Sequence, residues 1–486
     1  MKSHRQIFKS SAIIGGSTVL NTAIGILKSK VLAVLLGPAG IGLMGIYQNI
    51  MSIAGTMAGC GVGTSGVRQL AASAGDELSL AIVRRALWLG NLMLGLMGMA
   101  ILWLVREHVA KLVFGNVNHA NEVGWLGLGV LLSLIAGSQM ALLQGLRRIG
   151  DLARVNVISA LAGAAAGLTV IWLMGEKGIL WFVLTAPAGS VIVATYYASR
   201  LPRLRAPQDW IAVRKHWLIM LKIGLPFMVA GLMTQATQLA ARSMILSELG
   251  IEATGYFQAA WSVSMTYIGF VLGAMAADYY PRLTEAMKDH ERANQLVNEQ
   301  TEMAQLLAAP VLLTMITLAP LVVHLLYARS FAPATEILRW QVMGDIVKVM
   351  SWPMGFIVLA QGRGGIFIGT QSVWSATYLL FLWVELRKMG LVAVGIGFFV
   401  AYAVLAVVIY FVSTRLIGFR AMSGNWIFAA VLLMVGAGVL LLISVSPPLA
   451  YAFGLMATIA VTIYSLRRLD KLMDLSGWLK RKLGMS

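Results

Sequence analysis

The chain has 486 residues, of which 59% are hydrophobic and 12% are charged, and its mean hydropathy is +0.80. Soluble domains carry about 45–50% apolar residues, so this composition excludes soluble enzymes, secreted disulfide scaffolds and disordered tails and predicts a protein embedded in lipid. The net charge of +18 would suggest nucleic acid in a soluble protein, but in a membrane protein the positive-inside rule is tested first.

Successive apolar runs predict transmembrane helices, because backbone exposed to lipid must satisfy its hydrogen bonds within its own segment. We predict an all-α polytopic membrane protein with about fourteen such helices. They lie near 11–36, 41–66, 86–105, 122–145, 155–174, 178–198, 217–246, 254–278, 303–327, 336–360, 364–385, 391–413, 427–446 and 448–466. Only Ser446-Pro447-Pro448 divides the last two, which are either two helices with a loop or one kinked segment.

Lys and Arg residues are distributed unequally between the two sides of the predicted membrane. The segments on the side of the N-terminus carry 26 of them, and the loops on the opposite side carry 6. The positive-inside rule therefore places both termini in the cytoplasm, with Arg387 and Lys388 as a local exception. The first apolar run is too long for a cleaved signal peptide, so we expect a retained helix.

A set of small and polar residues in the second predicted helix recurs in the eighth at a constant spacing of 210 residues. The first set is Gly45, Gln48, Ser52, Thr56, Gly59 and Gly63, and the second is Gly255, Gln258, Ser262, Thr266, Gly269 and Gly273. A weaker echo pairs Gln144-Gly145 with Gln361-Gly362. Unless chance composition produced these matches, they predict two six-helix lobes of the same orientation, built as a parallel repeat.

The predicted repeat divides the chain into domains. An N-terminal lobe at 1–198 and a C-terminal lobe at 217–413 are joined by a basic cytoplasmic linker at 199–216. An extra helix pair at 414–466 precedes a basic amphipathic tail at 467–486. We expect this tail to lie on anionic membrane lipids.

Six cations lie within predicted spans, with one acid that is clearly intramembrane, and a charge there is costly and is therefore a functional candidate. They are Lys28, Lys30, Lys222, Arg242, Arg339, Asp345 and Lys348. Six cations against one acid predict an electropositive interior, which favours an anion, and desolvated Lys and Arg are good phosphate ligands. Lys222 and Arg339 lie near span ends, which favours side chains that reach the membrane interface.

Amides and small residues share helix faces with several of these charges. The three stripes are Thr18, Asn21, Gly25 and Lys28; Gly231, Gln235, Gln238 and Arg242; and Gln341, Asp345, Lys348 and Trp352. We predict that the cations and amides of these stripes bind substrate, together with Lys30 and the repeated Gln48 and Gln258.

Two alternatives stay open within this set. Lys30 points away from Lys28 on the same helix, so either of the two could face the cavity. Asp345 and Lys348 are at positions i and i+3 of one helix. They form either a structural ion pair or a switch in which Asp345 couples transport to a proton or another ion.

The motifs of catalysis are missing from the sequence. It contains no G-x-x-x-x-G-K-[ST] motif for nucleotide phosphates, and its six histidines are scattered without metal-ligand spacing. The single cysteine, Cys60, lies in an apolar run and is interpreted as a small buried hydrophobic residue. We therefore predict a transporter that is not an enzyme and that uses no cofactor or metal.

Two motifs carry a family resemblance. Residues 30–42 read K-V-L-A-V-L-L-G-P-A-G-I-G, and residues 340–349 read W-Q-V-M-G-D-I-V-K-V. They resemble K-L-L-A-V-x-x-G-P-A-G-L-G and W-Q-L-V-G-D-V-L-K-V of Wzx-type polysaccharide and O-antigen flippases, most closely the enterobacterial common antigen (lipid III) branch. These flippases belong to the multidrug/oligosaccharidyl-lipid/polysaccharide (MOP) exporter superfamily. The helix pattern agrees over about residues 1–415, whereas the C-terminal pair departs from the twelve-helix members.

The resemblance implies export of an undecaprenyl-diphosphate-linked oligosaccharide across the bacterial inner membrane, by alternating access between two lobes in a V-shaped, MATE-like arrangement. Lys30, Arg242, Asp345 and Lys348 match charged positions of the family, whereas Lys28 does not. A polysaccharide polymerase or glycosyltransferase complex is an implied partner. The alternatives are an ion-coupled multidrug antiporter, which the positive cavity disfavours, and a non-transporting assembly partner in polysaccharide biosynthesis, which the duplicated polar stripes disfavour.

Overall fold

The structure is a computed structural model that describes residues 2–73, 75–202 and 209–473. The basic tail beyond residue 473 and part of the predicted linker, at 203–208, lie outside the described residues. The first half of the chain forms α1 (Lys2–Gly59), α2 (Val62–Ala72), α3 (Glu77–Leu104), α4 (Arg106–Phe114), α5 (Ala120–Gly145), α6 (Ile149–Met174) and α7 (Ile179–Ser199).

The second half begins with the longest helix and continues as a further series of apolar helices. It comprises α8 (Trp210–Ala286), α9 (His290–Thr317), α10 (Ala319–Leu326), α11 (Ala334–Ala360), α12 (Gly364–Met389), α13 (Leu391–Ile417), α14 (Ser423–Val445) and α15 (Pro447–Met473).

The predicted all-α polytopic fold is confirmed. Among the described residues, nine helices are long and apolar enough to cross a membrane, or up to eleven if each of two bent pairs is one span. Two of the helices, α1 and α8, each contain two of the predicted segments. The number of fourteen crossings stays a prediction, as does the V-shaped arrangement of the lobes.

Glycine breaks both of these long helices in the same way. Gly37 has φ 62° and ψ −170° inside α1, and Gly250 has φ 86° and ψ 178° inside α8. L side chains avoid this backbone region, whereas glycine has no Cβ to clash. Pro38, which follows the first break, also lacks the backbone N–H that a continuous helix would need. Each long helix is therefore divided at a glycine into two segments.

The two breaks pack against each other through reciprocal glycine contacts. A Cβ placed on Gly42 would lie 2.5 Å from the carbonyl oxygen of Ile251, and one placed on Gly255 would collide with the carbonyl oxygen of Pro38. Gly42 and Gly255 are 213 residues apart, and so are Pro38 and Ile251. The contact thus has the form of a local two-fold, in which each glycine admits the backbone of the other copy.

The same spacing recurs along the chain. Asp76 caps α3 and Asp289 caps α9, each with φ −126° and with its side chain accepting backbone N–H bonds. Gly175 (φ 59°, ψ −138°) and Gly390 (φ 58°, ψ −139°) close α6 and α12. These pairs are 213 and 215 residues apart. In the structure the two halves therefore match at a spacing of about 213 residues and not at the 210 found in the sequence. The difference is about one helical turn.

The helices form two compact units. Unit 1 comprises Met1–Gly255 with Leu326–Ala328, and unit 2 comprises Tyr256–Leu325 with the described residues from Arg329 onward. The division falls shortly after Gly250, so the first segment of α8 packs with unit 1. The linker predicted at 199–216 separates the two predicted repeats rather than the two compact units, and it stays a prediction.

Each unit has its own apolar core at one end of its helices. In unit 1 this core includes Leu70, Leu87 and Leu142 from α2, α3 and α5. In unit 2 it includes Tyr279 and Ile357 from α8 and α11, together with residues of α9 and α13.

The glycine contact at the helix breaks predicts a stability difference between two variants of α1. Gly42→Ala places a methyl group against the Ile251 carbonyl, and such overpacking costs about 1–3 kcal/mol. Gly25→Ala is the matched control, because nothing lies within 4 Å of a Cβ there and alanine favours a helix. We expect a lower melting temperature in detergent for Gly42→Ala only. Equal melting temperatures for the two variants would contradict the packing described here.

Candidate functional site

A polar seam joins the second segment of α1 to the first segment of α8 within unit 1. We define it as Ser52, Thr56 and Gln235. Ser52 Oγ donates to Gln235 Oε1 at 3.1 Å, and Gln235 Nε2 donates to Thr56 Oγ1 at 3.1 Å. Two predicted stripes, one on each helix, therefore meet directly. A cavity of about 260 Å³ beside Thr56 is lined half by glycines and otherwise by residues that include Asn91 and Met228.

The first segment of α8 also contacts the chain on one side of the seam, where α1 passes into α2. Gly61 and Gly224 approach so closely that neither position could carry a side chain without a shift of backbone. Beyond them, Ser65 Oγ donates to the carbonyl oxygen of Met220 at 2.8 Å. Gln69 and His216 then form a reciprocal pair, with 2.9 Å between His216 Nδ1 and Gln69 Oε1 and 3.2 Å between Gln69 Nε2 and the His216 carbonyl oxygen.

Arg242 is a cation held inside unit 1. Only 3% of its surface is exposed, in a segment of α8 whose other residues are mainly apolar. Its Nη1 donates to both the carbonyl oxygen and the side-chain Oε1 of Gln238, each at 3.2 Å. The predicted stripe thus acts as a unit, because the amide one turn earlier holds the guanidinium.

The two lysines of α1 have different surroundings in unit 1. Lys28 Nζ lies 5.7 Å from the ring centroid of Phe182 on α7, which is a cation–π contact. Lys30 donates to the backbone carbonyl of Tyr327. Both are partly buried. Gln48 is partly buried as well, but no hydrogen bond joins it to the polar seam among the described residues.

A second polar cluster lies inside unit 2, around Asp345. Both Asp345 and Gln341 on α11 are 0% exposed. Ser264 Oγ donates to Asp345 Oδ2 at 2.5 Å. In the part of the chain that the structure describes, Asp345 Oδ1 and both amide atoms of Gln341 have no hydrogen-bond partner. Buried polar atoms are usually satisfied, so these three atoms mark a place where a proton, an ion or water is expected.

Lys348 belongs to this cluster but does not pair with Asp345. Its Nζ lies 3.5 Å from Met265 Sδ and 5.4 Å from the ring centroid of Tyr402. No ion pair between Asp345 and Lys348 is present among the described residues. Of the two alternatives, a structural ion pair at i and i+3 is therefore not formed, and each side chain instead contacts other helices. Gln258, also predicted for the site, has its Nε2 donating to Ser262 Oγ at 3.1 Å.

Several residues of these clusters were not predicted from sequence. Ser264 follows the repeated Ser262 by two positions and therefore faces away from the stripe to which Ser262 was assigned. Tyr402 sits in the uniformly apolar α13, where no periodic signal separates it from core. Sequence reasoning also missed Arg339, which was expected at the interface but is only 7% exposed and donates through Nε to the Ile316 carbonyl at 3.3 Å. Lys222 is exposed, in line with that expectation.

A family model described as "polysaccharide biosynthesis protein" matches residues 31–336, which is more than half of the chain. The chain belongs to this family. Lipid III flippase of Escherichia coli (strain K12) is 24% identical over 361 residues, covering 73% of this chain and 85% of the flippase. The lipid III flippase of Shigella flexneri matches equally. The family resemblance seen in the sequence is confirmed.

Solved structures share the fold of this chain. Lipid II flippase MurJ in an inward closed conformation aligns with a TM-score of 0.66 at 13% identity, covering 95% of this chain and 99% of MurJ. An inward-facing multidrug resistance MATE family transporter of the MOP superfamily aligns with a TM-score of 0.63 at 18% identity, covering 82% and 94%. At these identities the likeness shows the fold alone, and that fold is the one the sequence predicted.

The Gln69–His216 pair predicts that acid weakens unit 1. Burial, and secondarily the charge of Lys215, lower the pKa of His216 below its ordinary 6.5. The folded state therefore favours the neutral ring, so this stabilisation is present above pH 6.5 and is lost as the pH falls. We expect the melting temperature of the parent protein to fall between about pH 7.5 and about pH 5.5. The fall should be smaller in His216→Gln. An equally large fall in the variant would show that His216 does not contribute.

Proposed function

We propose that this chain is a flippase that moves an undecaprenyl-diphosphate-linked oligosaccharide across the bacterial inner membrane by alternating access. The observation that carries the proposal is the buried cation Arg242, held by Gln238 on the helix that also forms the polar seam. Membership of the polysaccharide biosynthesis protein family supports it, as does the likeness to lipid III flippases. The activity is transport, and the named relatives are flippases and transporters rather than enzymes.

The chemistry of the substrate explains why such residues are needed. A diphosphate carries concentrated negative charge, which desolvated Lys and Arg neutralise with strong, charge-assisted hydrogen bonds. A glycan presents hydroxyls, which amides and hydroxyls such as those of the polar seam can bind. The prenyl chain needs no polar partner, since lipid solvates it. We assign the diphosphate to Lys28, Lys30, Arg242 and Lys348, and the glycan to Gln48, Gln235, Gln238, Gln258 and Gln341.

Coupling to an ion gradient is assigned to Asp345. No nucleotide-binding motif is present in the sequence, so ATP does not drive the cycle. A carboxylate that is fully buried, with one oxygen held by Ser264 and the other without a partner among the described residues, can take up a proton or a small cation. Loading at Asp345 shifts the conformational equilibrium if the ion binds one state more tightly than the other.

Sidedness and partners complete the proposal. The excess of Lys and Arg on the side of the N-terminus places both termini in the cytoplasm. The substrate is then taken from the cytoplasmic leaflet and released on the opposite one. Glycosyltransferases supply such a substrate and a polymerase consumes it, so we infer that the flippase works beside a complex of these enzymes.

A multidrug antiporter of the MATE type is the second candidate, because that fold is shared and Asp345 is buried as a carboxylate. A cavity that accepts cationic drugs needs excess negative charge, however. The near-complete burial of Arg242 and the partial burial of Lys28 and Lys30 in unit 1 favour an anionic substrate instead. A membrane assembly partner without a transport cycle is the remaining alternative, and the flux measurement below separates all three.

Removing the buried guanidinium should strongly reduce transport. Arg242→Ala deletes hydrogen bonds to the diphosphate worth about 1.5–3 kcal/mol, so initial flux should fall about tenfold or more. Flux is measured in proteoliposomes as the fraction of a labelled prenyl-diphosphate sugar that reaches the outer leaflet. The matched control is Lys222→Ala, which removes an exposed cation from the same helix and should transport normally. Unchanged flux in Arg242→Ala at equal insertion would count against the diphosphate site.

Neutralising Asp345 should change how transport depends on the ion gradient. Asp345→Asn keeps the size of the side chain and its contact with Ser264. The amide carries no charge and cannot take up a proton. We expect its flux to lose dependence on an imposed pH or sodium gradient. Ser264→Ala, which keeps the carboxylate, should retain that dependence. The same gradient response in Asp345→Asn and the parent protein would return Asp345 to a packing role.

A further inference from the structure

A polar cavity in unit 1 lies outside the proposed transport site. It has a volume of about 250 Å³ and is enclosed by α3 and α5. Leu87 and Leu142, both almost completely buried, form its apolar wall. Arg84, Ser138 and Gln139 supply its polar lining, and Trp88 completes it. We propose that this cavity binds the phosphate of an anionic phospholipid headgroup, with Arg84 as its principal ligand.

The donors in the cavity fit a phosphodiester. Arg84 Nη1 donates to the carbonyl oxygen of Pro202 at 3.3 Å, which fixes the guanidinium while four of its five N–H groups stay available for a fork-shaped contact with phosphate oxygens. Gln139 offers an amide N–H at the same wall. The Ser138 hydroxyl donates its proton to the carbonyl oxygen of Ile135 at 2.7 Å, so Arg84 and Gln139 are the donors to a phosphate. No carboxylate lines the cavity, and Arg84 forms no ion pair among the described residues. The site is therefore positive and has no internal counter-ion.

The depth of the cavity identifies a lipid as the source of the phosphate. Arg84 lies seven residues after α3 begins at Glu77, and Gln139 lies six residues before α5 ends at Gly145. At 1.5 Å per residue, both are about 10 Å from the helix ends. The polar layers add about 5–8 Å on each side of the hydrocarbon, so both residues lie just beneath the headgroups, at a distance that the long Arg84 side chain can span. Trp88, 41% exposed one turn deeper on α3, is typical of the aromatic residues found at that interface.

Further cations surround this end of unit 1 and would attract anionic lipid. Arg147 and Arg148 follow the end of α5 and are exposed. Arg200 stacks on Tyr196, with 4.4 Å between its guanidinium carbon and the ring centroid. Basic pockets between transmembrane helices on the cytoplasmic side are a known type of lipid headgroup site. In the orientation proposed above, this end of unit 1 faces the cytoplasmic leaflet, where anionic lipids would occupy the cavity.

The cavity is separate from the proposed transport site, because none of its lining residues belongs to the substrate-binding set. Its size also separates it from the substrate. A cavity of about 250 Å³ is below the range of about 300–1,000 Å³ typical of drug-sized ligands. It suits one headgroup phosphate rather than a diphosphate carrying a glycan.

The test is lipid binding to the full chain, purified in a neutral detergent and followed by native mass spectrometry. The probes are phosphatidylglycerol, phosphatidylcholine with the same acyl chains, and inorganic phosphate. We expect the tightest phosphatidylglycerol site to bind about tenfold more strongly than the phosphatidylcholine site. Arg84→Gln should reduce that affinity about tenfold. Arg148→Gln, which removes an exposed cation from the same end of unit 1, should reduce it less than about threefold.

Three results would overturn the proposal. The first is an unchanged affinity for phosphatidylglycerol in Arg84→Gln. The second is a loss of affinity in Arg148→Gln as large as that in Arg84→Gln, which would reveal a diffuse electrostatic effect. The third is full displacement of the lipid by inorganic phosphate, which would assign the cavity to a free anion. If Arg84→Gln fails to fold, Gln139→Leu decides, because it keeps the Arg84–Pro202 contact and should still weaken phosphatidylglycerol binding severalfold.

Discussion

Arg242 must remain charged in surroundings that exclude water, and this constraint organises unit 1. A guanidinium is effectively always protonated, so its desolvation has to be offset by hydrogen bonds rather than by loss of charge. Gln238 provides two of those bonds from the preceding turn. Because the amide sits on the same helix, one turn of helix fixes the position of the guanidinium. An anionic substrate, as proposed above, would bring its negative charge to this guanidinium.

Close helix contact is what places polar groups of different segments together. The glycine breaks at Gly37 and Gly250 let α1 and α8 change direction, and Gly42 and Gly255 let the two backbones touch. Without a Cβ at these positions, the chain segments can approach closely enough for Gln235 to reach Ser52 and Thr56. Glycine therefore acts here through geometry, whereas the amides and hydroxyls supply the chemistry.

The two buried charges differ in the way they are held. Arg242 has two hydrogen bonds to Gln238 on its own helix, whereas Asp345 depends on Ser264 from another helix and keeps one oxygen without a partner among the described residues. A carboxylate can change protonation state in response to its surroundings, but a guanidinium cannot. This difference suits a division of roles in which Arg242 binds a permanent anion and Asp345 responds to an ion gradient.

The sequence by itself determined the membrane class, the helical fold, the polysaccharide biosynthesis protein family and two of the buried charges, Arg242 and Asp345. Hydrophobicity and charge act residue by residue, so composition and helical periodicity report them directly. The tertiary structure alone decided which groups meet. It separated Asp345 from Lys348, added Ser264, buried Arg339 and moved the repeat from a spacing of 210 to 213. Those outcomes depend on the distances between helices that are far apart in the chain, and a pattern along one helix contains no information about them.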